Sequence, residues 1–498
     1  MNWSSIPIRH VPAGAVVIPG ISDSHCHILE YGASRQIPLS EGRSVKGKAT
    51  VSFIADYIKS IPELEMDKSR IVGGWGWDHA AWDIEQMPTS DDLEANPTVA
   101  GRRLILQSRD GHAIWVSRRI LLENQPYPDT VPGGIIVRDE AGNPTGVFMD
   151  SAQELIKRTP LSENDLKRHF ETTVQEALSS GLTSLHDAGL TPESLAFFQR
   201  QAAAEQLPIR IYGMTYFDEE RPYWGDKTKI QMGATSDRLS SRSIKIFADG
   251  ALRTGGAALY EPYADNHATN GVMRISIEIL KKVIPRFLKD GWQVNVHAIG
   301  DRANSMVLDA FESALRGTNV TTARPRLEHA QIMTKEDMRR LGQLGVIASI
   351  QPTHAISDMW FALDRLGPER VKGLYAFRDI VDSGARITLG SDFPVDEINP
   401  LKGFYAAVSR LSTDGTSPHG AGGWFPNQRL TRTEALRGMT IDPAYASFTE
   451  DVLGSLVPGK RADYVVLSQD LMTVSVERIL ETKVLATSID GEIVFGAI

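Results

Sequence analysis

Eight short apolar runs, each ending in polar residues and several separated by helix-patterned stretches, constrain the fold of this 498-residue chain more than any other feature. They fall at residues 16–23, 182–187, 209–214, 244–249, 292–297, 326–329, 346–351 and 387–392. Strands buried on both faces have this pattern, and parallel sheets covered by helices bury their strands in that way. In one intervening stretch, residues 301–315, Met306, Val307, Ala310, Phe311, Ala314 and Leu315 share a helical face, with Gly317 just beyond as a stop. Thr431-x-x-Glu434 has the form of a capping box, opening a helix through Met439. Strands alternating with helices argue for parallel βα units, and eight of them predict an α/β fold of the (β/α)8 TIM-barrel type over residues 19–445.

Two stretches exceed a minimal barrel. Residues 70–150 separate the first two strand candidates and are too long for a structureless loop, so an inserted lid subdomain is expected there. The stretch holds Trp75, Trp77, Trp82 and Trp115, and a hairpin is expected over 134–147, turning at Ala141-Gly142-Asn143. The tail, 446–498, carries two strand-like runs, 463–467 and 484–494, and reads as a small β-module.

Composition removes several classes of function. Lys and Arg total 53 against 62 Asp and Glu, a net charge of −9, which lacks the basic footprint of a nucleic-acid binder. No run of 18 apolar residues supports a membrane span, and residues 1–20 lack the apolar core of a signal peptide. The single cysteine, Cys26, cannot form an intrachain disulfide and rules out cysteine-rich zinc modules. A cytoplasmic protein with a small-molecule substrate, and no nucleic-acid or membrane partner, is the expectation.

The residues able to do chemistry stand at the strand ends. In Asp23-Ser24-His25-Cys26-His27, residues two apart share a strand face, so His25 and His27 would present two imidazoles side by side. Cys26 alternates to the opposite face and reads as packing. His297 ends a run in which Gln293, Asn295 and His297 share one face, His329 ends another, and Asp392 follows Gly390-Ser391. Each has a structural alternative: a core histidine bonded to a carbonyl, or, for Asp392, a helix N-cap. Together they converge on the barrel face where active sites are built. Imidazole and carboxylate ligands without thiolate suit zinc, and also manganese or iron(II). A bound ion of this kind lowers the pKa of its water to about 7 and polarises a carbonyl, so the set points to metal-assisted hydrolysis. His112, His186 and His354, with Trp75 and Trp77, are candidates for substrate contact, each equally compatible with a structural role.

The order Pro19-Gly20-x-x-Asp23-x-His25-x-His27, then Lys245, His297, His329 and Gly390-Ser391-Asp392, resembles the amidohydrolase superfamily, and more narrowly the amidohydrolase family 3 branch that includes N-substituted formamide deformylases. Gly74-Trp75-Gly76-Trp77-Asp78, Asp110-Gly111-His112-Ala113, Lys245-Ile246-Phe247-Ala248-Asp249-Gly250 and Glu328-His329-Ala330-Gln331 belong to the same pattern, which covers residues 17–498. The resemblance implies that His25, His27 and Asp392 bind one divalent ion and His297 and His329 a second. Lys245, carbamylated, would bridge them; unmodified and paired with Asp249, it would leave a mononuclear site. It further implies that Asp392 takes a proton from the attacking water and passes it to the leaving nitrogen of an amide or formamide. An ester, lactone, carbamate or ring-deamination substrate stays open, as does a non-catalytic relative or a metal-free enzyme.

Members of this family pair N-terminal with C-terminal strands in a β-sandwich. Here 1–18 reads as a short remnant and 446–498 as the C-terminal half, an arrangement expected to leave an edge that a homodimer would cover.

Overall fold

The computed structural model describes residues 8, 10–39, 47–82, 86–218, 221–232 and 238–498. The first apolar run divides at Pro19-Gly20 into Val16–Pro19 (β1) and Ile21–Cys26 (β2), which enter different sheets. Gly20 sits so close to Thr183 that a Cβ would come within 2.3 Å of its Oγ1, which is why the switch between sheets takes a glycine.

The insertion contributes Ile71–Trp77 (β3), Arg103–Ser108 (β4), Ala113–Val116 (β5), Gly134–Arg138 (β6) and Pro144–Asp150 (β7). They form one sheet in the order β3-β4-β5-β7-β6, parallel only between β3 and β4. A separate apolar cluster packs one side of it, with Trp77 and Trp115 fully buried.

The barrel continues with Leu182–Leu190 (β8), Arg210–Tyr216 (β9), the short antiparallel Gln231–Met232 (β10), Leu239–Phe247 (β11), Gln293–Ala298 (β12), Arg326–His329 (β13), Ile347–Ile350 (β14) and Ile387–Leu389 (β15). The order β15-β14-β13-β12-β11-β9-β8-β2 is parallel throughout, so the expected eight-stranded parallel barrel is present. Its seam is held by the Asp392 N–H donating to the His25 carbonyl at 2.7 Å and the His27 N–H donating to that of Phe393 at 2.9 Å. Asp23 reinforces it, accepting from the Ser391 hydroxyl at 2.6 Å. Helices such as Glu163–Ser179 and Asp301–Ala314 cover the outside, burying Phe170 and Val174 from the first and Val307 and Phe311 from the second. The Thr431 capping box is formed and opens the helix Arg432–Gly438.

The tail supplies Tyr464–Leu467 (β16), Val484–Ile489 (β17) and Glu492–Gly496 (β18). With β1 they make a four-stranded antiparallel sheet, β1-β16-β17-β18. The expected single run 484–494 is thus two strands, turning at Asp490-Gly491, where both residues have positive φ as a two-residue hairpin loop demands. Among the described residues no helix is long and apolar enough to cross a membrane.

Candidate metal centre and active site

The strand ends of β2, β12 and β13 and the loop after β15 bring four histidines and an aspartate together. His25 is fully buried at the end of β2, and His27, one residue past it, still has extended backbone and so presents its ring beside that of His25. Their Nε2 atoms lie 3.5 and 3.1 Å from the same oxygen, Asp392 Oδ1. That oxygen is buried and has no hydrogen-bond partner. His297 and His329 follow around the rim, with ring centroids 4.5 Å apart, and His329 lies 4.7 Å from His25. Two sets of ligand atoms each fall within 4.8 Å of one another: His25, His27 and Asp392, and His329, His354 and Asp392.

The rings are aimed by partners behind them. His25 Nδ1 meets Glu328 Oε2 at 2.5 Å, and Glu328 is in turn ion-paired at 2.7 Å to Arg326, itself inaccessible to solvent. His329 Nδ1 meets Gln351 Oε1 at 2.9 Å. With Nδ1 engaged, each ring turns Nε2 to the centre, the usual arrangement behind metal-ligating histidines. His329 and Asp392 hold positive φ values of 74° and 60°. For non-glycine residues such conformations cost about 1–3 kcal/mol each and collect at functional sites.

Electrostatics favour a cation at the centre. Burial holds His25, His297 and His329 well below the usual imidazole range, so all three rings are neutral. Burial pushes the Asp392 carboxyl up, but the imidazoles of His25 and His27 outweigh it and hold the group below the usual carboxylate range. Lys245 is fully buried on β11 with its Nζ 3.2 Å from His25 Nε2, and burial pulls its amine down to about 8. It has no ion pair with Asp249. That carboxylate instead accepts the backbone N–H groups of Ile299, Gly300 and Ala258 at 2.8–3.0 Å, fixing the loops after β11 and β12. His27 differs: burial pulls its imidazole down, but the Asp392 carboxylate beside it outweighs burial and raises it. An imidazole and carboxylate donor set of this kind, with His297 Nδ1 and His354 Nε2 also buried and without a hydrogen-bond partner, fits a divalent ion.

The remaining candidates separate. His112 and His354 line a chamber of about 30 Å³ together with His297, His329 and Asp392. Trp75 and Trp77 line a neighbouring cleft of about 490 Å³ between insertion and barrel, although Trp77 is 1% exposed and its indole N–H is spent on the Leu106 carbonyl. His186 borders neither cavity; it lies beneath the centre with Nδ1 3.3 Å from Arg326. Cys26 is buried, its thiol donating to the His186 carbonyl. Chamber and cleft share Arg109, Arg253, Ser357 and Val395. Both arginines are paired: Arg253 with Asp78 and Asp358 at 2.7 Å each, and Arg109 with Asp396 at 2.5 Å.

Sequence reasoning did not reach Glu328, Gln351, Asp150, Arg109 or Arg253. Glu328 and Gln351 had a usable signal, since each lies in the same strand-end segment as a candidate histidine. The arginines had none, because their partners come from distant loops.

A parallel barrel with a buried imidazole–carboxylate group at the C-terminal ends of its strands defines a metal-dependent barrel hydrolase. The chain belongs to the amidohydrolase family, which it matches over residues 13–495. It is 32% identical to "Protein LONG AFTER FAR-RED 3" of Arabidopsis thaliana, over 96% of this chain and 82% of that one. It is 27% identical to the N-substituted formamide deformylase of Arthrobacter pascens, over 96% and 88%. Among solved structures, an uncharacterized metal-dependent hydrolase from Pyrococcus horikoshii OT3 superposes with a TM-score of 0.70 at 26% identity, covering 93% of this chain and 88% of that one.

Proposed function

We propose that the protein hydrolyses a C–N bond of amide or formamide type in a small organic molecule, using divalent metal held at the barrel mouth. The carrying observation is Asp392 Oδ1, buried, without a hydrogen-bond partner, and faced by the Nε2 atoms of His25 and His27. His25, His27 and Asp392 would hold one ion, and His297 and His329 a second, with His354 in reach of the shared carboxylate. Zinc suits this thiolate-free set. The low basicity of Lys245 supports its carbamylation, since the neutral amine is the form that takes up CO2.

A bound ion would supply an acidified water and polarise the scissile carbonyl. Asp392, kept ionised by its histidines, accepts the proton of the attacking water at Oδ1 or Oδ2 and delivers it to the leaving nitrogen. Glu328 and Gln351 keep the His25 and His329 rings fixed during this transfer. The amide bond class rests on the likeness to the Arthrobacter pascens deformylase. The single cysteine, buried, is compatible with a cytoplasmic location, and a homodimer stays part of this reading.

Metal content per chain, on protein purified without added metal or chelator, tests the reading, with His297→Ala alongside. Two ions, reduced in the variant, support the bridged site and direct a screen of N-formyl and N-acyl amides. One ion favours a mononuclear hydrolase with unmodified Lys245. No ion, with none taken up on reconstitution, overturns the metal-hydrolase reading.

A further inference from the structure

The insertion sends one side chain into the chamber that nothing in the metal centre explains. His112, immediately before β5, lines the chamber with its ring centroid 5.2 Å from that of His297. It is held twice by a residue at the far end of β7. Its Nδ1 lies 2.7 Å from Asp150 Oδ1, and its carbonyl accepts the Asp150 N–H at 2.8 Å. Asp150 has a φ of 50°, a strained value for a residue other than glycine, and its side chain is fully buried. Its second oxygen, Oδ2, has no hydrogen-bond partner and rests against the barrel loop after β11. There a Cβ on Gly250 or Gly256 would come within 2.4 or 2.6 Å of that oxygen. The barrel loop is thus hollowed to admit a carboxylate from the insertion, and that carboxylate orients an imidazole facing the metal-type residues.

We propose that His112 is a substrate-contacting residue. Its Nε2 forms a hydrogen bond with the polar atom next to the bond being cleaved, and Asp150 is the positioning residue that fixes the ring. This rests on the hydrolase reading above. Among the described residues no partner of His112 Nε2 is found, whereas Nδ1 is taken. The chamber, at about 30 Å³, admits little more than a reacting group, so a side chain that reaches it meets the scissile group itself, while the rest of the substrate occupies the cleft of about 490 Å³. The insertion then completes the active site and does not merely cover it.

The two ring nitrogens can be separated by substitution, because the side-chain amide of Asn overlays the position of Nδ1 and that of Gln the position of Nε2. His112→Gln keeps the reach to substrate and His112→Asn keeps the bond to Asp150. With metal content and melting temperature measured for each variant, kcat/KM on an N-formyl or N-acyl amide hydrolysed by the wild type is expected to fall about 10-fold or more in His112→Asn and His112→Ala, consistent with losing one hydrogen bond to the reacting group. His112→Gln is expected to recover most of that loss. Asp150→Asn, which keeps the shape of the side chain, should lower kcat/KM less than His112→Ala at unchanged metal content. Equal activity in Asn and Gln variants, or better activity in Asn, overturns the proposal and leaves His112 as a prop for Asp150. If the wild type with metal hydrolyses none of the panel, the hydrolase reading has failed separately. The contact is then read by calorimetry of the same amides on metal-free protein, where tighter binding by Gln than by Asn supports it, and equal or absent binding overturns it.

Discussion

The two ends of the barrel solve the problem of buried charge in opposite ways. At the N-terminal end, Arg210 opens β9 and is bound by Asp463 at 2.7 and 3.0 Å and by Asp490 at 2.6 Å, and the Asp490 N–H donates to Asp463 at 2.9 Å. The acids come from the C-terminal sheet, so the cluster fastens that sheet to the barrel floor. At the C-terminal end, Asp392 Oδ1 faces only the Nε2 atoms of His27 and His25 at 3.1 and 3.5 Å among the described residues, His297 Nδ1 and His354 Nε2 are buried without a hydrogen-bond partner, and His329 and Asp392 keep strained backbone. Unpaired buried polar atoms cost about 1–3 kcal/mol each. One end spends its polar groups on one another and stabilises; the other leaves them open toward something that is not protein. In barrels of this kind the first pattern belongs to stability and the second to function.

Substitution at each end should therefore move different observables. The largest effect is expected for Asp392→Asn, which keeps the shape and removes the proposed base. We expect kcat/KM to fall about 10²–10⁴-fold with the melting temperature little changed, checked by steady-state kinetics at saturating metal beside a thermal melt. A comparable loss of stability with activity retained would break the contrast. Arg210→Ala is the mirror experiment. It strands Asp463, whose side chain is 6% exposed, without its cation, and about 3–5 kcal/mol of stability should be lost while kcat per folded molecule stays the same. Urea titration gives the first quantity and active-site titration with metal the second.

The ends also titrate in different windows. Lys245 has a folded pKa of about 8 against 10.5 in the unfolded chain. Between those values the unfolded chain carries a proton that the folded chain lacks, so stability of the metal-free protein should rise with pH from about 8 to 10.5 and level off above. The full rise is on the order of 3 kcal/mol. Lys245→Met, neutral at every pH, should lack that slope while being more stable than wild type below pH 8. Parallel pH–denaturation curves for the two proteins would show that Lys245 is not held as an uncharged amine.

How much of this was legible in the sequence follows the same division. Parallel strands buried on both faces announce themselves as apolar runs, so the eight-stranded barrel, the places of His25, His297 and His329 at strand ends, and that of Asp392 just beyond one, could be read locally. Most of what failed depended on a partner far along the chain; the Asp490-Gly491 turn is the local exception. Val16 to Asp23 is one apolar pattern, and only the approach of Gly20 to Thr183 reveals that it serves two sheets. Asp490-Gly491 was a visible hairpin dipeptide inside a run read as one strand. Glu328 behind His25 lies 303 residues away, and Asp150 behind His112 lies 38. No periodicity carries information over such distances.

The smallest expected effect belongs to the floor. Asp490 sits in the hairpin loop with a φ of 57°, a conformation Asn also tolerates, so Asp490→Asn removes the charge without disturbing the turn. Burial raises the Asp490 carboxyl, but Arg461 and Arg210 together outweigh it and bring it from 3.8 to about 2. A carboxylate depressed on folding stabilises fully above its unfolded pKa, and that contribution disappears as pH falls through the folded one. Because the side chain is 29% exposed, solvent screens the pairing, and wild type should exceed the variant by no more than about 1 kcal/mol near pH 7. The difference should shrink from pH 4 downward and vanish near pH 2, followed as the gap between two acid-unfolding curves. If it persists at pH 2, the arginines hold the turn by shape rather than charge, and the floor of the barrel is less electrostatic than its geometry implies.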